Sequence, residues 1–195
     1  MANVSRTCGF TPVRHLNGNP WNGKARMYYI PSTDSTAVFV GDAVKSAGSA
    51  DTTGKYPTVA QAAAGDTIRG VAVAFSDQPY MAVDTSDLNR AYRPASTAMY
   101  CLVVDDPDVI FEIQEDNVGN NLSAAMVGLS TDIAVGSGDT STGKSGMELD
   151  SSVTATAAGQ CKILALSNKE DNALGTDAKW DVLIIEHEMR SSADV

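Results

Sequence analysis

The sequence predicts a mainly β protein: a β-barrel or β-sandwich body with an extended N-terminal arm and long loops. Three observations predict it. Several runs of six to ten residues are apolar with a period of two, or apolar on both faces, as strands are. No segment carries a sustained helical period. Gly-Asp pairs at 41–42, 65–66 and 138–139 each lie close to an apolar run, as expected of tight turns feeding strands.

The elements follow in order. Residues 25–30 and 37–45 read as the first two strands of the body. Residues 67–76 (TIRGVAVAFS) place Val71, Val73 and Phe75 on one face and Ala72 and Ala74 on the other. Residues 109–114 (VIFEIQ) place Val109, Phe111 and Ile113 against Glu112 and Gln114, the pattern of a half-buried strand. Residues 96–104, 160–167 and 179–187 are apolar on both faces and read as central strands. Helix is scarce. Residues 86–91 allow a turn or two, and 121–127 (NLSAAMV) a short helix capped by Asn121 and closed by Gly128. Polar stretches at 47–56, 136–145 and 168–178 read as surface loops. The length of 195 residues fits one domain with appendages, and 43% apolar content suffices for a real core. The segment 116–158, poorer in apolar residues and richer in Ser and Thr, reads as a possible insertion in a body spanning 25–195.

The charge is split along the chain. The first 33 residues hold no Asp or Glu but carry Arg6, Arg14, Lys24 and Arg26. The other 162 hold 24 acids against 10 bases, a net of −14. Residues 1–24 are also broken by Gly9, Pro12, Gly18, Pro20 and Gly23, with Phe10, Leu16 and Trp21 between them. That composition predicts an extended arm that docks on a partner. Its expected contacts are Arg6, Phe10, Arg14, Leu16, Trp21, Lys24 and Arg26. Trp21 admits two readings, an anchor on a partner or a cover over the chain's own body.

Composition excludes some classes. An isoelectric point of about 4.5 argues against nucleic-acid binding by the body, which needs clustered Lys and Arg. The longest apolar runs, 99–104 and 182–185, are too short to span a bilayer. The N-terminus lacks the apolar core of a signal peptide, so synthesis in a cytosol is expected. Three widely spaced cysteines suggest neither a disulfide framework nor a zinc site, and Cys101 and Cys161 read as buried thiols.

Candidate chemistry is thin. Residues 138–145 (GDTSTGKS) match the phosphate-loop pattern, with Lys144 and Ser145 in the expected places. The sequel, GMELDSSVTATAAG, is a poor helix former, and without a helix the loop lacks the amides and dipole that hold phosphate. The acids Asp105, Asp106, Asp108, Glu112, Glu115 and Asp116 are split by Pro107 and by a strand, which argues against a calcium loop. His15 and His187 belong to no metal or nucleophile motif. The expectation is a protein that is not an enzyme, with no cofactor and no bound metal.

Four phrases carry a family resemblance: GFTPVRHLNGNPWNGKARMYYIP near the start, VFVGDAVKSAG after it, SGMELDSS at 145–152 and NKEDNALGTDAKWDVLIIEHE at 168–188. The chain resembles head structural proteins of tailed bacteriophages, above all the decoration or cement proteins. The resemblance implies a β-rich accessory protein on the capsid surface of the virion, made in the bacterial host cytoplasm. It would bind the outside of the assembled shell and clamp neighbouring capsomers. Its partners would be the major capsid protein and copies of itself as a dimer or trimer, with no nucleic acid and no membrane. The alternatives are a tail or baseplate component and, on 138–145 alone, a nucleotide-binding protein.

Overall fold

The computed structural model describes residues 3–79, 90–152 and 158–190. Strand takes 41% of the described residues, and their helical content is one 3-10 turn, Ala124–Met126. The strands are β1 Thr11–His15, β2 Arg26–Ile30, β3 Val38–Phe39, β4 Ala43–Ala50, β5 Pro57–Gln61, β6 Gly70–Ser76 and β7 Tyr92–Arg93. They continue with β8 Met99–Val104, β9 Val109–Gln114, β10 Ser130–Thr131, β11 Ile133–Ala134, β12 Glu148–Leu149, β13 Cys161–Leu166 and β14 Lys179–Ile184.

Two main sheets organise them. Strands β2-β5-β4-β6-β8 close into a five-stranded barrel, in which one parallel contact between Tyr29 and Thr58 joins β2 to β5. Strands β1-β9-β14-β13-β10 form an antiparallel sheet beside it. Each has its own core. Tyr28 and Ile30 of β2 and Met99, Cys101 and Val103 of β8 point into the barrel, the period of two expected of strands. Phe111, Ile113, Trp180, Val182 and Ile163 line the inner face of the sheet and meet Ala43, Val71 and Val104 from the barrel strands. Burial pushes the Cys101 and Cys161 thiols well above their ordinary range.

The structure departs from the sequence reading at several elements, each for a physical reason. A β-bulge between Ala72 and Ala74 breaks the alternation of β6. Val71 therefore joins the sheet core while Ala72 and Phe75 join the barrel core. Residues 37–45 are two strands, because Gly41 turns the chain at φ +99° and a Cβ there would lie 2.3 Å from the Cys8 carbonyl oxygen. The 47–56 stretch is half strand: β4 continues to Ala50 before a turn closed by the Asp51 carboxylate, which accepts from the Lys55 and Tyr56 amides. The expected helix over 121–127 shrinks to the single 3-10 turn. Of residues 86–91, only Arg90 and Ala91 lie among the described residues, and they are not helical. Within the segment 116–158, β10 extends the sheet, and Leu122, Ile133, Met147 and Leu149 sit in its core.

Candidate interaction surface

From Asn3 onward the N-terminal segment does not leave the body, which corrects the extended arm expected over these residues of 1–24. Asn3 exchanges bonds with Ala173, its Nδ2 donating to the carbonyl and its Oδ1 accepting from the amide. The Arg6 amide donates to Gln114 Oε1 and the Thr7 hydroxyl to Glu148 Oε1. Gly9, at φ +64°, passes so close to Gly41 that any Cβ would lie 2.4 Å from its carbonyl oxygen. This close approach delivers Phe10 into the sheet core, where its ring meets Phe111 edge-on at 5.8 Å. Phe10 is only 2% exposed. The hydrophobic gain of burying a phenyl ring, about 1.5–3 kcal/mol, favours this placement over a free arm.

β1 then pairs with β9, and residues 19–21 fold back on its outer edge. His15 N donates to Asn19 O, and Trp21 N to Val13 O. Pro12 is tolerated because β1 is an edge strand with a bulge between Pro12 and Arg14. The indole of Trp21 packs against the sheet core and donates Nε1–H to Lys24 O at 3.2 Å. Of its two readings, the structure gives Trp21 the covering position.

Two of the four N-terminal cations, Arg14 and Arg26, are answered within the chain. Asp181 and Glu112 stand directly opposite each other on β14 and β9, a like-charge pair that is unfavourable unless neutralised. Arg14 meets Asp181 at 2.8 Å and Lys169 meets Glu112 at 2.7 Å. Burial acts to raise the Glu112 pKa, but Lys169 and Ser167 hold it below the usual carboxylate value. Arg26 approaches Asp105 at 3.4 Å and His15 approaches Asp106 at 3.3 Å. Among the described residues, Arg6 and Lys24 have no carboxylate within 4 Å.

Of the seven expected contact residues, Arg14, Leu16 and Trp21 lie in the hairpin 11–21, Lys24 in the connection that follows it, and Arg26 at the start of β2. Arg6 lies at the other end of the sheet, and Phe10 is unavailable to a partner. Leu16, at the hairpin turn, is 51% exposed, and its amide donates to Asp108 O. Beside the hairpin lies a groove of about 340 Å³, lined by Lys24, Ala25, Arg26, Asp105, Pro107 and Met189. Met189 is 54% exposed. Sequence reasoning missed Pro107 and Met189, since only the fold carries the acidic turn and the chain's end to the hairpin.

Asp105 ties the groove to the barrel. Its carboxylate accepts from the Tyr28 hydroxyl at 2.7 Å, and the same hydroxyl accepts from Arg69 Nε at 2.8 Å. Burial, followed by the Asp105 hydrogen bond, pushes the Tyr28 pKa up to about 12. Arg69 also reaches Glu188 at 3.5 Å. Asp105 is buried at the centre of this network, and Arg26 approaches it from the solvent side with its side chain 69% exposed.

The remaining candidates resolve into structural roles. Residues 138–145 form a tight turn around Asp139, whose carboxylate accepts from the Ser141 amide and hydroxyl and from the Thr142 hydroxyl. No helix begins at Lys144. The Gly143 and Ser145 amides donate to the Asp139 and Val40 carbonyls, so they are not free to wrap a phosphate. The six acids of 105–116 disperse, Asp108 to Arg190 and Asp116 to Ser151, and the described residues contain no cluster of three or more metal-binding side chains. Arg93 is a structural residue that sequence reasoning passed over. It is 0% exposed and donates to the carbonyls of Pro31, Asp34, Thr36 and Thr97.

Fold and surface together define an all-β protein: a small barrel joined to a sheet, with an N-terminal hairpin stapled along the sheet edge and partly apolar on its exposed side. Compared with family models, curated proteins and solved structures, the chain matches none.

Proposed function

We propose that this chain is a structural virion protein of a tailed bacteriophage that binds the outside of the assembled major capsid shell and clamps neighbouring capsomers. The observation that carries the reading is the outward edge of the hairpin. Exposed Leu16 and Val13, with Lys24 and Arg26 nearby, stand on a body that is strongly acidic from residue 34 onward. The resemblance of four sequence phrases to phage head proteins supports the same reading. A hairpin already fixed by β1–β9 pairing loses less conformational entropy on docking than a free arm would. Many modest contacts repeated over a lattice add up through multivalency, and contacts between neighbouring copies of the chain would strengthen the array.

The test is sedimentation of the purified protein with capsids assembled from the major capsid protein of the phage that carries its gene. The wild type should pellet at a copy number approaching that of the capsid subunits. A Leu16→Asp, Lys24→Glu double variant should fold normally and pellet much less. If the wild type fails to bind shells, or is recovered in virions only with tails at low copy number, the tail-component reading replaces this one.

A further inference from the structure

His187 is one of two histidines and is used by none of the contacts above. Its side chain is buried, with the residue 1% exposed. Its Nδ1 accepts the Met189 amide N–H at 3.1 Å, which requires that Nδ1 carry no proton. The neutral ring therefore holds its proton on Nε2, which has no hydrogen-bond partner among the described residues. The next proton has only Nδ1 to go to. There it would face the Met189 N–H, donor against donor.

That contact sits at the centre of a short strap, residues 186–190. The strap lies along Ile68: Ile68 N donates to Glu186 O at 2.8 Å, and Glu188 N donates to Ile68 O at 2.9 Å. Arg190 N donates back to His187 O at 2.8 Å, closing the turn. Outer ties come from Glu188, which accepts from the Ser46 amide and hydroxyl, and from Arg190, which pairs with Asp108. The strap also carries Met189 into the wall of the groove beside the hairpin.

We propose that His187 is the pin of an acid-released latch: protonation at Nδ1 breaks the 187–190 turn and frees the strap from Ile68, while the barrel and sheet cores stay folded. The groove wall contributed by Met189 moves with it. The charged groups facing the ring are Arg69 from the approach to β6, Asp105 from the end of β8, and Glu188 and Arg190 from the strap itself. Burial, with Arg69 next, lowers the His187 pKa, and the two carboxylates oppose this only in part. A histidine held below its unfolded pKa of about 6.5 contributes stability above that pH and loses it as the pH falls toward the folded value.

The experiment is hydrogen exchange of the full chain at pH 7 and pH 5.5, corrected for intrinsic rates and read for the Glu188, Met189 and Arg190 amides. The opening equilibrium of the strap should rise by up to about eightfold over that interval, with core amides of β9 and β14 unchanged. His187→Asn keeps an acceptor for the Met189 amide but does not titrate, so its strap should open equally at both pH values. Should that variant fold poorly, nitrogen NMR of the wild type decides: Nδ1 must be the unprotonated nitrogen at pH 7. Equal strap protection at both pH values overturns the latch. So does a pH response that persists in His187→Asn, or a ring protonated on Nδ1 at neutral pH.

Discussion

Replacing Phe10 by alanine tests whether the N-terminal segment is part of the fold. Phe10 is buried in the sheet core and packs edge-on against Phe111. Gly9 and Gly41 meet beneath it with no room for a Cβ, so neighbouring backbone cannot collapse easily into the space left behind. Loss of a buried phenyl ring with incomplete collapse costs about 3–5 kcal/mol. For a chain of this length each kcal/mol lowers the melting temperature by about 2–4 °C, so the expected drop is roughly 6–20 °C. Trp180, fully buried in the same cluster, reports the transition by fluorescence. Urea melts of wild type and variant should share a slope and differ in midpoint. A loss below about 1 kcal/mol would refute the packing argument, because a ring on a free arm supports no core.

Three further outcomes follow from the same geometry. Arg14→Gln leaves Asp181 opposite Glu112 without its counterion, and should cost about 1 kcal/mol given the half-exposed guanidinium, a loss that salt reduces; equal stability at low and high salt would argue against it. Arg93→Lys cannot reproduce a fork that serves four carbonyls, and should destabilise by at least about 3 kcal/mol in a denaturant melt, close to the effect of Arg93→Ala. Tyr28 keeps its proton in the folded state up to about pH 12, above its unfolded value, so its contribution is complete below pH 10 and fades as pH rises through 12. Melting temperatures from pH 9 to 11.5 should therefore fall less steeply in Tyr28→Phe than in wild type.

Strands with clean alternation or dense apolar content were legible: β2, β8, β9, β13 and β14 lie within the segments read as strands. β5 (PTVAQ) was not, since Pro and Ala are disfavoured in strands, the run is short, and its burial comes from barrel closure. The bulge in β6 was invisible because it is set by the pairing with β8. The N-terminal segment misled most. Its glycines and prolines read as an arm, yet Gly9 supplies a close approach and Pro12 sits harmlessly in an edge strand. Its basic residues read as charges for a partner, yet Arg14 and Arg26 answer Asp181 and Asp105 from distant strands. Complementarity within a chain and complementarity between chains look alike until the fold brings the acids into place. The hairpin surface was therefore half legible: Leu16 and Lys24 were identified, while Met189 and Pro107 depend on tertiary contacts.

The proposed capsid role is the central claim, and a cryo-electron map of virions from a phage encoding this chain tests it most directly. The account predicts one chain-shaped density per regular position outside the shell, with Leu16 and the hairpin 11–21 turned toward the capsid and Phe10 inside the body. Density confined to the tail, or none on the virion, would contradict it.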